Sequence, residues 1–370
     1  MSLPVNLSIE RRLDVPRGLA PLTTIGAVLV SFVISGLVIV FVGGDPIRSF
    51  QHMFAAAFGS PGVISDTLVK ATPLILTGLA CALAFRMRLW NIGAEGQFFM
   101  GAWGASAVVL FPLVPPGTPG IVTIPLMMLA GFAAGAAWGF IPGVLRARFG
   151  VNEIITTLML NYVAVNWNLF WVFGPWSERG FQLTPQFPKD AWLPRLTDYS
   201  KLLPDLGGLT THLGLLFGLV AAGIVWFIVK RSRWGYEIRL IGDNPRAARY
   251  AGVNLARNTV LVFMLSGGLA GLAGMSEVAG VVHRLQGAIS PGYGFTAIIV
   301  AYLAKFHPFG VVLASVLFGA LILAGREIQP SGIPQMIQGV ILFTLITSDV
   351  LLRYRVRLRR RVVVDTAAAA

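Results

Sequence analysis

Ten stretches of this chain are too apolar to stay in water, and most of the breaks between them are too short to hold a soluble domain. They cover residues 21–42, 68–85, 98–114, 121–145, 151–172, 212–229, 258–282, 295–304, 309–325 and 333–352. Hydrocarbon offers no water to backbone N–H and C=O groups, so runs of this kind must become helices, at about 20 residues per crossing. The expected fold is therefore an all-α polytopic membrane protein of about ten transmembrane helices. The eighth run has only ten residues, which predicts a re-entrant or partial span shielded by protein. Charged residues make up 12% of the chain, against about 25% in soluble domains. The first run exceeds the core of a signal peptide and lacks a small-residue cleavage site, so it is read as a retained span. Residues 1–20 then form an N-terminal segment, 21–352 the membrane domain and 353–370 a basic tail. Within the break at 43–63, Phe50, Met53, Phe54 and Ala57 fall at helical spacing and suit a helix lying flat at an interface.

Charge fixes the expected orientation. With the N-terminus in the cytoplasm, 21 of the 29 basic residues fall on the inner side, including Arg11, Arg12, Arg17, Arg86, Arg88, the 230–257 loop and the tail from Arg353 to Arg361. The outer set includes Lys70, Arg195, Arg284 and Arg326, and four of its eight members lie in the long loop 174–211, where the rule is weaker. Both termini and the 230–257 loop are thus expected in the cytoplasm. The net charge of +13 has a place beside anionic lipid, and no basic soluble stretch interleaved with aromatics points to nucleic acid. An internal repeat is suggested by Gly78-Leu-Ala80 and Gly271-Leu-Ala273, each followed by a Gly-rich polar break. Two five-helix halves of inverted topology would give that pattern.

Carboxylates inside membrane runs need a reason. Glu95, in the break from Asn91 to Gln97, suits either the lining of a passage or a cap on nearby backbone N–H groups. Glu153 stands in the first turn of its run, where an acid complements the helix dipole. Asn161 is a candidate for an interhelical bond, and Asn166 faces elsewhere. Glu277 is expected to pair with His283 or Arg284, with contact to a solute as the alternative. The other polar residues within the runs are mostly Asn, Gln, Ser and Thr, with no buried Lys or Arg expected, which suits a neutral solute better than an anion. The single Cys81 excludes disulfides and a cysteine metal site. His52, His212, His283 and His307 are scattered, and neither a Gly-x-Ser-x-Gly elbow nor a nucleotide-binding Gly-x-x-x-x-Gly-Lys-Ser/Thr loop is present. The chain is expected to be no enzyme and to bind no cofactor or metal itself. Energy for any transport has to come from an ion gradient or a partner.

The segment from Arg239 to Gly252 reads as a short capped helix. Asp243 or Asn244 suits the N-cap, Pro245 the first helical position and Gly252 the left-handed stop. Ala247, Tyr250 and Ala251 share one face. Too short to be stable alone, such a helix must lie on lipid or dock on a partner.

Four motifs carry a resemblance: Leu89-Trp-Asn-Ile-Gly-Ala-Glu-Gly-Gln97, Val151-Asn-Glu-Ile-Ile-Thr-Thr-Leu-Met-Leu-Asn-Tyr162, Ile241-Gly-Asp-Asn-Pro-Arg-Ala-Ala-Arg-Tyr-Ala-Gly252 and Tyr293-Gly-Phe-Thr-Ala-Ile-Ile-Val-Ala-Tyr-Leu-Ala304. In this order they resemble the membrane permease subunits of bacterial ABC importers of the ribose and branched-chain amino acid type, and within that family the simple-sugar and nucleoside permeases. Tyr302 and Ala304 depart from the Leu and Gly more usual there. The resemblance implies an assembly in the bacterial inner membrane of two permease chains, two cytoplasmic ATPase subunits and an extracytoplasmic solute-binding protein. It assigns Gly242, Asp243, Asn244, Pro245, Ala247, Ala248, Tyr250, Ala251 and Gly252 to the segment that couples to the ATPase. Asn91, Gly93, Glu95, Gln97 and Asn161 are the residues expected along or beside the substrate pathway, with Gly96 allowing close packing, and the 174–211 loop is expected to help dock the binding protein. The leading reading is an ATP-driven permease for a nucleoside or simple sugar. Its alternatives are a stand-alone carrier driven by protons or sodium, and an intramembrane enzyme using Glu153 or Glu277.

Overall fold

The computed structural model describes residues 5–11, 18–115, 117–181, 183–325 and 332–360. Arg12, Arg17, Arg326 and Arg361 from the charge count lie outside them, as does the chain after 361. The described residues fall into two compact units. The smaller is built from both chain ends. It contains α1 (Leu19–Phe41), most of α13 (Ile333–Arg353) and an antiparallel ribbon of β1 (Val5–Arg11) and β2 (Tyr354–Arg360), with Val5 opposite Arg360 and Arg11 opposite Tyr354. The ribbon adds structure to segments that carry no helical period and that the sequence reading left without an element.

The larger unit spans Ile47–Pro334. It holds α2 (Pro46–Phe58, whose first residue belongs to the other unit), α3 (Pro61–Arg86), α4 (Ala94–Leu110), α5 (Gly120–Phe149), α6 (Glu153–Phe173) and α7 (Gly214–Arg231). Two short helices follow, α8 (Arg233–Asp243) and α9 (Pro245–Tyr250), then α10 (Leu255–Glu277), α11 (Tyr293–Leu303) and α12 (Pro308–Ala324). Each apolar run of the sequence has become one helix. Among the described residues, six segments are long and apolar enough to cross a membrane: Pro21–Phe41, Pro61–Arg86, Gly120–Phe149, Gly214–Arg231, Leu255–Val282 and Ile333–Val350. The predicted short eighth run is α11, with 11 residues.

At the centre stands α3, buried along almost its whole length, packed on α10. The packing around this pair is reciprocal: α10 lies on α4 and α5, while α3 lies on α11 and α12. That is the arrangement an inverted repeat of the two halves generates. Along the α5–α10 seam backbone meets backbone at several glycines. A Cβ at Gly135 would stand 2.3 Å from the Gly267 carbonyl oxygen, and one at Gly271 would stand 2.2 Å from that of Gly131. Gly131, Gly135, Gly139 and Gly143 recur every fourth residue along one stripe of α5, the small-residue spacing that lets membrane helices approach backbone to backbone.

Ring pairs gather towards the ends of α4 and α6, where Trp103 and Phe111 each meet both Trp171 and Trp176, as expected of a membrane–water boundary. The 174–211 loop beyond them is ordered rather than merely polar. Three 3₁₀ turns, Lys189–Ala191, Leu196–Tyr199 and Pro204–Leu206, interrupt it. Backbone bonds from Thr184, Phe187 and Leu193 to Leu285, His283 and Ala279 fasten it over the end of α10.

The 230–257 loop holds one more helix than the sequence reading placed there. In α8 the buried residues Gly235, Ile238, Ile241 and Gly242 recur at three- and four-residue steps, an amphipathic signal short enough to be hidden beside the stronger caps of α9.

Candidate functional site

The Asn91–Gln97 break joins two helices that cannot be continuous. α3 stops at Arg86, Arg88 turns through φ 57°, and α4 starts at Ala94. From Asn91 to Gln97 the chain is buried but for Ile92, so its polar groups must be satisfied by the fold. Asn91 Nδ2 donates to Gln97 Oε1 and to Ser266 Oγ, each at 2.8 Å, while Asn91 Oδ1 accepts from the Gly93 N–H at 3.0 Å. Ser266 Oγ in turn donates to the Ala80 carbonyl, tying α10 to α3. From α6, Asn161 accepts the Gly96 N–H at 2.8 Å and donates to the Ile92 carbonyl at 2.9 Å. It is the interhelical bond expected of that residue, and it satisfies an N–H in the first turn of α4 that has no intrahelical partner. Asn166 stays within its own helix, on the Tyr162 carbonyl.

Glu95 reaches a second helix start. Its Oε2 accepts the Gly294 N–H at 2.6 Å, so it caps α11 rather than its own helix. A carboxylate at that point also meets the positive end of the α11 dipole. The two helix starts press together: a Cβ at Gly294 would lie 2.2 Å from the Glu95 nitrogen, and Gly292 enters the helix at φ 96°. Asn91, Gly93, Glu95, Gln97 and Asn161 are therefore one constellation, with Asn91, Glu95, Gln97 and Asn161 all buried. Their polar atoms face each other, the backbone, and the side chains of Ser266 and Ser290.

A second polar constellation lies at the opposite end of α3. Lys70, assigned to the outer loops on charge count, is 8% exposed within the helix. This corrects the expectation of no buried Lys or Arg: α3 starts at Pro61, well before the apolar run, so Lys70 falls on its third turn. Its Nζ stands 3.5 Å from Glu277 Oε1 and 3.3 Å from the Tyr293 hydroxyl. Glu277 thus pairs with Lys70, and not with His283 or Arg284; Arg284 instead faces Glu178 at 3.6 Å. Glu153 is buried and paired with Arg146 at 3.3 Å. A cavity of about 570 Å³ opens beside the Lys70–Glu277 pair, lined by Asp66, Arg195 and Ser290 among others.

After α10 the chain makes a π-helical turn, Val278–Val282, and reverses at His283 with φ 56°. Arg195 from the long loop donates to the Gly280 and Val281 carbonyls and to His283 Nε2 at 2.7 Å. That leaves the His283 proton on Nδ1, facing the Ala279 carbonyl at 3.0 Å, while Trp192 stacks on the ring at 3.8 Å. Burial, then the Arg195 charge, pushes His283 down to about 4. His212 is pushed to about 3 by burial first, then by Arg195, His283 and Lys70. Both rings are neutral where the loop is docked.

The α8–α9 arm stands at the other end of α10. Ser232 and Asn244 cap the two helices, Asn244 Oδ1 accepting from the Arg246 and Ala247 N–H groups. Of the two N-cap candidates it is Asn244 that acts, because Asp243 closes α8. Pro245 takes the first helical position and Gly252 the left-handed stop at φ 77°. Trp234 Nε1 donates to Asn258 Oδ1 and Asn258 Nδ2 to Glu237, which holds α8 to the start of α10. Gly242 abuts the Arg86 carbonyl and Ala248 is fully buried, so these two serve the chain's own packing. Ala247, Tyr250 and Ala251 are exposed, Tyr250 at 95%. Arg86, at the end of α3, donates from Nε to the Phe306 carbonyl just past α11. The arm thus rests on the turn that leads into the Asn91 network.

Among the described residues, no group of three or more His, Cys, Asp or Glu side chains is placed to hold a metal ion. Sequence reasoning missed the Lys70–Glu277–Tyr293 cluster, in which Lys70 is more than 200 positions from its two partners and shares no motif with them. It also passed over the Gly131-to-Gly143 stripe, which was readable as a four-residue repeat.

Residues 63–347 match the family model described as branched-chain amino acid transport system / permease component. The glucose ABC transporter permease protein TsgB13 of Haloferax volcanii is 36% identical, over 95% of this chain and 94% of its own length. The guanosine permease NupP of Bacillus subtilis is 35% identical over 84% of this chain and 88% of its own, and the nucleoside permease NupB of Lactococcus lactis 32% over 86% and 88%. The chain belongs to this family of ABC transporter permeases.

Proposed function

We propose that the chain is the permease subunit of an importer that carries a neutral hydroxylated solute, a nucleoside or a simple sugar, into the cytoplasm with energy from a separate ATPase. The observation that carries this reading is the α9 arm: a rigidly capped helix that buries only Ala248 and presents Ala247, Tyr250 and Ala251 outward. The chain has no nucleotide-binding loop of its own, and an exposed, well-held helix is what a partner's groove takes up. The relatives named for glucose, guanosine and nucleosides point to the solute class. In this reading the α8–α9 arm and both chain ends lie in the cytoplasm of a cell whose inner membrane holds the protein. The ordered 174–211 loop then faces outward, where it helps to seat a solute-binding protein, and a second permease chain completes the pathway.

The residues expected along or beside the substrate pathway support it in this reading. Asn91, Gly93, Glu95, Gln97 and Asn161 form the clamp that holds α4 and α11 in register next to the pathway. Movement of the ATPase reaches that clamp from α9 through Gly242 and Arg86.

Reconstitution tests the proposal. Placed in liposomes with its ATPase and binding protein, the chain is expected to take up adenosine or glucose only with ATP inside the ATPase compartment. Ala247→Asp and Tyr250→Asp are expected to remove ATPase co-purification while the chain stays folded in the membrane. Uptake by the chain alone under a proton or sodium gradient would establish the secondary carrier instead.

A further inference from the structure

The cavity beside Lys70 has no part in the coupling route. Its 570 Å³ falls within the ~300–1,000 Å³ of small-molecule pockets. Its charged lining is Asp66 and Lys70 of α3, Glu277 of α10 and Arg195 of the long loop, and Thr210, Gln286 and Ser290 add neutral polar groups. Two carboxylates and two cations sum to no formal charge. A monovalent anion would meet Asp66 and Glu277, and a cation would meet Lys70 and Arg195. A neutral solute with adjacent hydroxyl groups meets partners for both its functions, because carboxylates accept from O–H and Lys and Arg donate to oxygen.

The ion pair inside the cavity is loosely made. Lys70 Nζ is 3.5 Å from Glu277 Oε1 and 3.3 Å from the Tyr293 hydroxyl, longer than the ~2.7–2.9 Å of a tight charge-assisted bond. A solute oxygen can therefore enter between these groups at small cost. Beyond Tyr293 the way is shut. That side chain is fully buried, its ring lies 5.7 Å from Phe98, and the next residue, Gly294, is pressed against Glu95. The cavity is a chamber whose inner wall is the start of α11, and α11 is held by the clamp that the α9 arm reaches.

We propose that this chamber is a holding site, one in each permease chain, for a neutral solute bearing adjacent hydroxyl groups, whether a free sugar or the sugar of a nucleoside. The site rests on the importer reading and adds to it a waiting place within one chain, apart from a pathway shared between two.

Thiol protection in the assembled importer tests it. Ala288 lines the chamber and is exposed without supplying a polar side chain, whereas the native Cys81 is fully buried and gives a silent background. In proteoliposomes, Ala288→Cys is expected to react with a membrane-impermeant thiol reagent. Saturating adenosine, ribose or glucose, each in its own arm, is expected to slow that reaction by about threefold or more where the solute is also transported, as fractional occupancy of the chamber requires. Ribose protecting as well as adenosine assigns the site to the free sugar, and protection by adenosine alone assigns it to the nucleoside. 2′,3′-Dideoxyadenosine, which lacks the hydroxyl pair, is expected to protect little. A second variant, Asp66→Asn, leaves the Lys70–Glu277 pair in place and is expected to cut maximal uptake about tenfold, with ATP hydrolysis within about twofold of the parent. ATP-driven uptake of a solute that leaves labelling unchanged, equal protection by the dideoxy compound, or full uptake by Asp66→Asn would overturn the holding site while the importer stands. Absence of ATP-driven uptake in every arm removes both.

Discussion

The Asn91–Gln97 turn and the Lys70 chamber are both polar regions walled in by apolar helices, and they use their polar atoms in opposite ways. Around Asn91 most of the bonds that the side chains make to one another and to the backbone are 2.8–3.0 Å, with Gln97 Nε2 to Asn91 Oδ1 at 3.3 Å. Around Lys70 the contacts lengthen to 3.3–3.5 Å and a cavity opens. Saturation makes the first a joint, and slack makes the second a receptacle. Polar residues in a membrane run thus mark two different needs, a broken backbone to be satisfied and a polar guest to be received.

The sharpest break of this comparison is Asn91→Leu. It strips partners from Gln97, Ser266 and the Gly93 N–H at once, so a loss of about 2–4 kcal/mol of stability is expected. Unfolding of the purified protein in detergent measures it, and a loss below about 1 kcal/mol would mean that the joint is not saturated. Lys70→Met comes next, with about 1–2 kcal/mol expected, because the cavity can hydrate the carboxylate left behind. Adding Glu277→Gln is expected to recover more than half of that loss. If Lys70→Met costs as much as Asn91→Leu, the distinction between the two regions fails.

Acid probes the loop that covers the chamber. His212 and His283 sit near 3 and 4 with the loop docked, against about 6.5 when it is released. The released state therefore binds more protons between those values, and docking weakens as pH falls from about 6.5 towards 4, with little change above 6.5. Exchange of the Phe187 and Leu193 amide protons, which bond His283 and Ala279, is expected to be about tenfold faster at pH 5 than at pH 7 after correction for intrinsic rates. Equal corrected rates would exclude the histidines as the cause. The smallest effect on stability is expected from Tyr250→Asp, within about 0.5 kcal/mol, since that side chain is 95% exposed. Its effect should fall on ATPase binding alone.

Much of this fold could be read from hydropathy. Every apolar run became a helix, and the short eighth run became the short helix α11, of 11 residues. The caps of α9 were legible because Asn244, Pro245 and Gly252 act within one turn of themselves. α8 was hidden because its amphipathic period lasts only 11 residues. The joint was half legible. Its members sit in two motifs, and Glu95 was read as a cap on nearby backbone N–H groups or as pathway lining; the N–H it caps belongs to Gly294, at 199 positions' remove, which no local pattern announces. The chamber was illegible for a physical reason. It is a volume between α3, α10 and two loops, and Lys70 looked like an outer-loop charge until α3 was seen to begin at Pro61.

The glycine stripe of α5 has a mechanical meaning. With backbones of α5 and α10 in contact at Gly131, Gly135 and Gly139, neither helix can slide along the other without driving a side chain into a carbonyl. Close packing of this kind is stiff. So paired, the two helices are expected to move as one beam, with a displacement at the end that bears α9 shared by the far end of both.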